Sequence, residues 1–390
     1  MNKIIITVML LSMILILVTG CYRDELEEKN LDISVESNEL DNRASIIKGN
    51  YYMPDESQTH EGTWLQWPHN YTYGEGYKES LESIWIEMAK ALFLDETVHI
   101  VAYDEDEVNY IENLLIKENV EMNRVNFYTF PTDDVWARDN GPIFAFDEKE
   151  NLKILDWGFN GWGEKAPYRK DEALRKNLGQ RLNIEVVNLK EVVLEGGAIE
   201  LDGNGTLMTT RSSVNNMNRN PGLTEKEIEE YLSEIYGVSH FIWLDGVEGI
   251  DITDFHIDGF AKFYNKSTIL TLDESDLLDW GVIDTDIDIL LKAKNIASDN
   301  YKYIYIPLTN ENVILKNGKD LGYKGSYINF YVANGVVLVP NYNDPNDAIA
   351  NDIIQGLYPN RRVVGIDIRE LYQYGGMIHC VVQQQPVSEN

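Results

Sequence analysis

Five residues of the chain are of types that do chemistry and recur at matching places in its pattern. They are Asp139 in DDVWARDNGP, Glu195 in LEGG, His256 and Asp258 in DFHIDG, and Cys380 in GGMIHC. Cys380 is the strong nucleophile of the set, and it acts as the thiolate, which needs nearby positive charge or a base. His256 can serve as that base and later return the proton as an acid. Three carboxylates beside a thiolate suit neither an anionic nor an acyl substrate, because their charge raises the thiol pKa and repels an oxyanion. They suit a cation whose own charge lowers the thiol pKa on binding. A planar guanidinium presents five donors in a fork that carboxylates accept two at a time. The chemistry indicated is nucleophilic attack on a guanidinium carbon rather than on a carbonyl.

Residues so far apart need a scaffold that gathers them, and the chain is patterned as a repeat. GPIFAFDEKENLKILDWGF, VVLEGGAIELDGNGTLMTT, FHIDGFAKFYNKSTILTLD and SYINFYVANGVVLVPNYND each read as two strands around a turn. Each is followed by a helical stretch (KDEALRKNLGQRL, TEKEIEEYLSEIYG, DTDIDILLKAKNIA, DAIANDIIQGLY) and a short apolar strand (IEVVNL, HFIWL, KYIYIPL, RVVGIDI). The unit is strand, strand, helix, strand, and its return roughly every 55 to 70 residues marks a repeat architecture. The N-terminal part, GTWLQWP to VNFYTF, alternates strands and helices but lacks a hairpin partner for its first strand. MIHCVVQQ at the other end supplies that partner if the chain closes a ring, which brings Cys380 near the beginning of the chain. The expected fold is α/β: a five-bladed pseudosymmetric α/β propeller of strand-strand-helix-strand units. Each of the five residues above falls at or just before the first strand of its unit. One acidic residue near a strand end is ordinarily a cap or a surface group, whereas five reactive residues in register are hard to attribute to accident.

The ends and the composition bound the setting. MNKIIITVMLLSMILILVTGCYRDE has a lysine near its start, an apolar run from Ile4 to Val18 and small residues ahead of Cys21. That is the layout of an export signal, and the run is short for a span, which needs roughly 20 residues. Leu17-Val18-Thr19-Gly20-Cys21 resembles a lipobox, so residues 1–20 are expected to be a lipoprotein signal peptide and Cys21 the lipid-bearing terminus. The expected location is extracytoplasmic, lipid-anchored to a bacterial cell membrane, with an uncleaved anchor as the plainer alternative. Residues 21–47 are acidic and nearly free of aromatics, and read as a disordered tether. Residues 48–390 remain as one catalytic domain. With Cys21 carrying lipid, Cys380 has no partner for a disulfide. A formal net charge of −32 argues against nucleic acid as a partner and suits a small cation. His60 and His69 lack the spacing of a ligand motif, and Asp202-Gly203-Asn204-Gly205 reads as a hairpin turn rather than a calcium loop. No metal and no cofactor are expected.

MPDESQTHEGTWLQWPHN, TDDVWARDNGPIF, LEGGAIELDGNGTLMTT with NNMNRNPGLT, TDFHIDGFAKF and GGMIHCVVQQQP occur in this order between about Tyr51 and Pro386. Together they resemble the agmatine deiminase and bacterial (Porphyromonas-type) peptidylarginine deiminase family of the guanidino-group-modifying superfamily. The resemblance implies a five-bladed α/β propeller with Cys380 as nucleophile and His256 as general acid and base. It implies Asp139 and Asp258 as the carboxylates that hold the guanidinium, with Glu195 orienting the histidine or sharing its proton. It implies a covalent thiouronium on Cys380, formed with loss of ammonia and hydrolysed to a ureido product, without metal or organic cofactor. Gly376, behind Gly375, would let backbone approach the substrate without a Cβ in the way.

Substrate choice depends on the far end of the molecule. NRNP, the C-terminal motif, and Asn160 with Trp162 in WGFNGWGEKAPY are similar to the agmatine branch; Trp162 is expected to cover the aliphatic linker or else to be a buried structural residue, with Trp136 a core or site-wall aromatic. Glu56-Ser57-Gln58, Asn140, Phe255 and Gly259 depart from the usual agmatine-branch residues and are expected on the rim of the site. The leading reading is a hydrolase that converts agmatine to N-carbamoylputrescine and ammonia. A peptidylarginine or arginine deiminase would need a cation for the substrate's carboxylate, for which Arg211 and Lys165 are the candidates. A non-catalytic amine-binding lipoprotein is the reading of another class, and the thiol speaks against it.

Overall fold

The computed structural model describes residues 50–388. The expected signal peptide, with Cys21, and the expected tether of residues 21–47 lie outside the described residues. Among those residues, no helix is long and apolar enough to cross a membrane.

The strands form five separate mixed sheets. In one, β1 (Tyr51–Tyr52) lies antiparallel along β5 (Ile143–Asp147), which forms a hairpin with β6 (Leu152–Gly158); β7 (Glu185–Val193) then runs parallel to β6. The next unit repeats the plan with the hairpin β8 (Ile199–Leu201) and β9 (Thr206–Thr210) and the parallel strand β10 (His240–Leu244). So do β11 (Ala261–Asn265), β12 (Thr268–Thr271) and β13 (Lys302–Tyr305), and then β14 (Tyr331–Val332), β15 (Val336–Asn341) and β16 (Arg362–Asp367). Helices Arg169–Leu182, Glu225–Tyr236, Asp284–Leu291 and Asn346–Leu357 carry the chain between the hairpins and their parallel partners. In the fifth sheet β2 (His60–Gln66), β3 (Thr97–Ala102) and β4 (Val125–Thr129) are parallel, and the chain's last strand, β17 (Val382–Pro386), pairs antiparallel with β2.

The expected α/β class and strand-strand-helix-strand unit are present, as is the partnership of the C-terminal strand with the first long one. Each sheet is open, with three or four strands, and none closes on itself. The sheet of β17 and β2 departs from the unit, since it has three parallel strands and takes its antiparallel strand from the far end of the chain.

Local chemistry accounts for the boundaries. The β8–β9 turn is closed by Asp202, whose Oδ1 accepts from the backbone N–H of Asn204 and of Thr206 at 2.8 and 2.9 Å. Gly203 and Gly205 supply the positive φ that such a turn needs. Thr224 and Glu227 form a reciprocal capping box at the start of helix Glu225–Tyr236, and Gly237 ends it in the left-handed conformation. Val336 to Val339 are fully buried, the pattern of a strand covered on both faces.

Candidate active site

The reactive residues occupy the turns that lead into successive sheets. Asp139 is in the helical turn Ala137–Asn140 before β5, and Glu195 precedes the turn Gly196–Ala198 before β8. His256 and Asp258 flank Ile257 at the entry to β11, and Cys380 lies in the turn His379–Val381 before β17. All four acidic and histidine side chains are buried, and Cys380 is half-buried. Gly197 shows how closely they converge. A Cβ built there would lie 2.8 Å from His256 Nδ1, 2.9 Å from Asp258 Oδ2 and 3.2 Å from Asp139 Oδ1. Three turns of three different units therefore meet around one backbone position that has room for no side chain.

Backbone strain aims the histidine. Asp254 and Phe255, just before it, both have positive φ, at 62° and 79°, a region that bulky residues adopt at a cost. The strain is held by hydrogen bonds: Ser212 and Thr210 donate to the carbonyls of Asp254 and Phe255, and Asp251 accepts from the Phe255 N–H. His256 Nε2 then lies 3.4 Å from Glu195 Oε2, and its Nδ1 3.8 Å from Asp139 Oδ2.

The electrostatics follow from this arrangement. Burial works against the charged imidazole, but Asp139, Glu195 and Asp258 outweigh it and lift His256 to about 9. Burial would raise Glu195, yet the Arg219 guanidinium and His256 hold its carboxyl below the usual range. Asp139 is raised, first by burial, with the His256 charge opposing and the other carboxylates adding to the rise. Burial pushes the Cys380 thiol well up, and the charges of Asp258 and Asp139 add to it. These charges favour a neutral thiol on Cys380 and an imidazolium on His256. A cation placed among the carboxylates would offset the charges that help to hold the thiol protonated.

Trp162 and Trp136 form a wall of the site. Trp162 is 2% exposed, adopts φ 55° between Gly161 and Gly163, and donates from Nε1 to Asp139 Oδ2 at 2.9 Å. Trp136 meets it edge to face at 6.5 Å between ring centroids. Gly376 packs on Trp136, where a Cβ would come within 2.2 Å of the indole; the open backbone expected for substrate is filled on that side by a ring. Asn160 has a structural task, since its side chain accepts from the Gly163 N–H and donates to the Asn218 carbonyl, each at 2.8 Å. That leaves the amide committed to the loop rather than turned to a substrate.

Two expectations are corrected. Arg211 is bound to Glu225 and Asp245, and Lys165 Nζ lies 2.6 Å from Asp254 Oδ2, so both candidate cations for a carboxylate tail already have acidic partners. The departures expected on the rim are mostly interior. Gln58 is exposed, but Asn140, Phe255 and Gly259 are buried, and the Glu56 side chain is 12% exposed. Glu56 is drawn inward by Lys262, His379 and Arg138, which hold its carboxyl well below the usual range against burial.

Several functional neighbours were not singled out from the sequence. Arg219, of the quoted NRNP segment, bridges Glu195 at 2.7 Å and Asp254 at 2.9 Å with all three side chains fully buried. Asn329 stands ahead of β14, the place in the fourth unit that matches the other reactive residues, and its Oδ1 lies 3.5 Å from Cys380 Sγ. The repeat register was the signal that could have found it. His379, next to Cys380, faces Asp258 and Glu56. Among the described residues, no group of three or more His, Cys, Asp or Glu is placed to hold a metal ion.

Comparison with known proteins gives consistent results. Residues 52–386 match the family model described as Porphyromonas-type peptidyl-arginine deiminase. The chain is 29% identical over 357 residues to an agmatine deiminase of Pseudomonas aeruginosa (strain LESB58), covering 86% of this chain and 95% of the relative. It is 30% identical, with the same coverage, to an agmatine deiminase of Stutzerimonas stutzeri (strain A1501). A solved agmatine deiminase of Enterococcus faecalis superposes with a TM-score of 0.77 at 25% identity, over 86% of this chain and 96% of that one.

Proposed function

The chain belongs to the Porphyromonas-type peptidyl-arginine deiminase family, and we propose that within it the protein is a guanidine deiminase acting on agmatine. One observation carries the reading. The carboxylates of Asp139, Glu195 and Asp258 surround His256 near the half-buried Cys380, a cage with the charge of a cation receptor and the nucleophile of a covalent catalyst. The five sheets are read as the five blades of a pseudosymmetric propeller, with the turns before their first strands directed to a common centre.

The reaction proceeds in two halves. The guanidinium binds between Asp139 and Asp258, and its charge allows Cys380 to ionise. The thiolate donates its electron pair to the guanidinium carbon, forming a C–S bond. A C–N bond breaks, and His256 gives the departing nitrogen a proton so that it leaves as ammonia. The neutral imidazole next takes a proton from water while the oxygen attacks the thiouronium carbon. The C–S bond then breaks, returning the thiolate and releasing the ureido product, N-carbamoylputrescine from agmatine. Glu195, held by Arg219, keeps the ring oriented through both transfers.

Agmatine is favoured over arginine or a peptide ending in arginine because Lys165 and Arg211 are already neutralised by acidic groups. A carboxylate tail would therefore find no free partner in either. The test follows ureido product and ammonia with each of the three substrates, using Cys380→Ala as control. Turnover of agmatine alone, lost in the control, is expected; turnover of the arginine peptide would move the protein to the peptidyl branch. No turnover of any of them would make an amine-binding lipoprotein the better account.

The location we propose, outside the cytoplasm on a lipid anchor, rests on the early lysine, the apolar run from Ile4 to Val18 and the lipobox-like Leu17–Cys21 segment. Incorporation of labelled fatty acid into the full chain, abolished by Cys21→Ala, is the expected result. Equal labelling of the variant would refute it.

A further inference from the structure

We propose that His379 is a positioning residue of this site: donating from Nδ1 to Asp258 and from Nε2 to Glu56, it fixes the Asp258 carboxylate whose charge acts on the Cys380 thiol. The inference deepens the deiminase reading and rests on it. His379 is 4% exposed, and each of its ring nitrogens lies 2.8 Å from a carboxylate oxygen, Asp258 Oδ2 on one side and Glu56 Oε2 on the other. A neutral imidazole has one donor and one acceptor, so between two carboxylates one of its contacts would set lone pair against lone pair. A ring carrying both protons satisfies both.

The surrounding charges assign the countercharge. Arg138 Nη2 and Lys262 Nζ each lie 3.3 Å from a Glu56 oxygen, and Lys262 also approaches Glu200 at 4.0 Å. These two cations are thus engaged by Glu56 and Glu200. Asp258 has its direct ion pair with His379, with His256 and Arg138 acting on it from further off. Burial alone would raise Asp258, but the hydrogen bond and charge of His379 hold it below the usual carboxylate range.

Placement of the ring and of the nucleophile are coupled through the backbone. The His379 N–H donates to Asn329, whose Oδ1 also faces Cys380 Sγ, and the His379 carbonyl accepts from Arg138 Nε. Loss of the ring would leave Asp258 without its direct partner, so that more of its charge acts on the thiol and raises the thiol pKa further.

The test compares parent, His379→Gln and Glu56→Gln as full chains. It measures kcat and KM with agmatine and, separately, the rate of Cys380 alkylation by iodoacetamide as a function of pH. His379→Gln is expected to lower kcat/KM roughly tenfold or more and to move the alkylation profile to higher pH, because Asp258 loses the partner that offsets its charge on the thiol. Glu56→Gln is expected to shift both in the same direction by less, since the ring loses the carboxylate that holds its far side. A folded His379→Gln whose alkylation profile matches the parent overturns the proposal, whatever its kcat/KM. If that variant does not fold, an unshifted profile in Glu56→Gln overturns it. The alkylation arm needs no substrate, so failure of the agmatine reading and failure of this one are told apart.

Discussion

Gly197 lies so close to His256 that a Cβ on its backbone would stand 2.8 Å from the imidazole Nδ1. The same atom would meet Asp258 and Asp139, so the position is a keystone for three catalytic side chains rather than a flexible link. Gly197→Ala is expected to lower kcat/KM about 100-fold or more, since sub-ångström displacement of reacting groups is costly. The accompanying stability loss should be about 1–3 kcal/mol, typical of overpacking. Gly203→Ala, at a left-handed turn with open space around it, is the contrast. It should cost stability while leaving kcat/KM within about twofold.

Trp162 spends its one polar atom on Asp139. Trp162→Phe keeps most of the ring and removes the donor. The Asp139 carboxylate then loses one of the bonds that fix its orientation. A fall of about tenfold in kcat/KM for agmatine is expected, the value of one charge-assisted hydrogen bond near 1.5 kcal/mol. An unchanged value would show that Gly197 N–H alone positions Asp139.

Arg219 binds two fully buried carboxylates at once. Arg219→Met would leave Glu195 and Asp254 as buried anions, with Lys165 the remaining cation at Asp254 and His256 at Glu195. Removing one partner of a buried pair typically costs about 3–5 kcal/mol, which a urea unfolding series would detect as a lower midpoint. A midpoint equal to the parent's would mean that water or His256 replaces the guanidinium.

The pH dependence of the free protein has a defined sign. His256 is raised from 6.5 to about 9, against burial, by its carboxylate neighbours. Its contribution to stability is therefore complete below 6.5 and is lost as the pH rises through about 9. Thermal midpoints are expected to fall across that window, and less so in His256→Asn. Cys380 is raised in the same direction by burial and by Asp258 and Asp139, so the resting pair is thiol and imidazolium at neutral pH. Binding of an alkylguanidine should then release roughly one proton. Calorimetry in buffers of different ionisation enthalpy measures it, and no release would mean that the thiolate exists before substrate arrives.

How much of the site was legible in the sequence depended on the kind of signal. Asp139, Glu195, His256, Asp258 and Cys380 could be found because each stands at the same place in a repeated unit and each has a reactive side chain. Asn329 stands at the same place in the fourth unit. It went unnoticed because an amide carries no reactivity that a sequence displays. Glu56, Arg138, Arg219 and His379 were invisible as partners for another reason. Their roles are pairings across many residues, and a charged side chain in a polar segment reads as surface until its partner is located.

The sequence by itself determined the elements and their order. Hairpins follow from alternating apolar residues around Asp-Gly and Asn-Gly turns, helices from caps such as Thr224 with Glu227, and the pairing of β17 with β2 from the one strand lacking a partner. These are local rules of backbone geometry and hydrogen bonding, satisfied within a few residues. Tertiary structure alone decided which charges are neutralised: Lys165 and Arg211 are claimed by acidic neighbours, Glu56 lies inside rather than on the rim, and His379 sits between two carboxylates. Burial makes an unpaired charge expensive, so the final arrangement is set by which opposite charges the packed turns bring within reach.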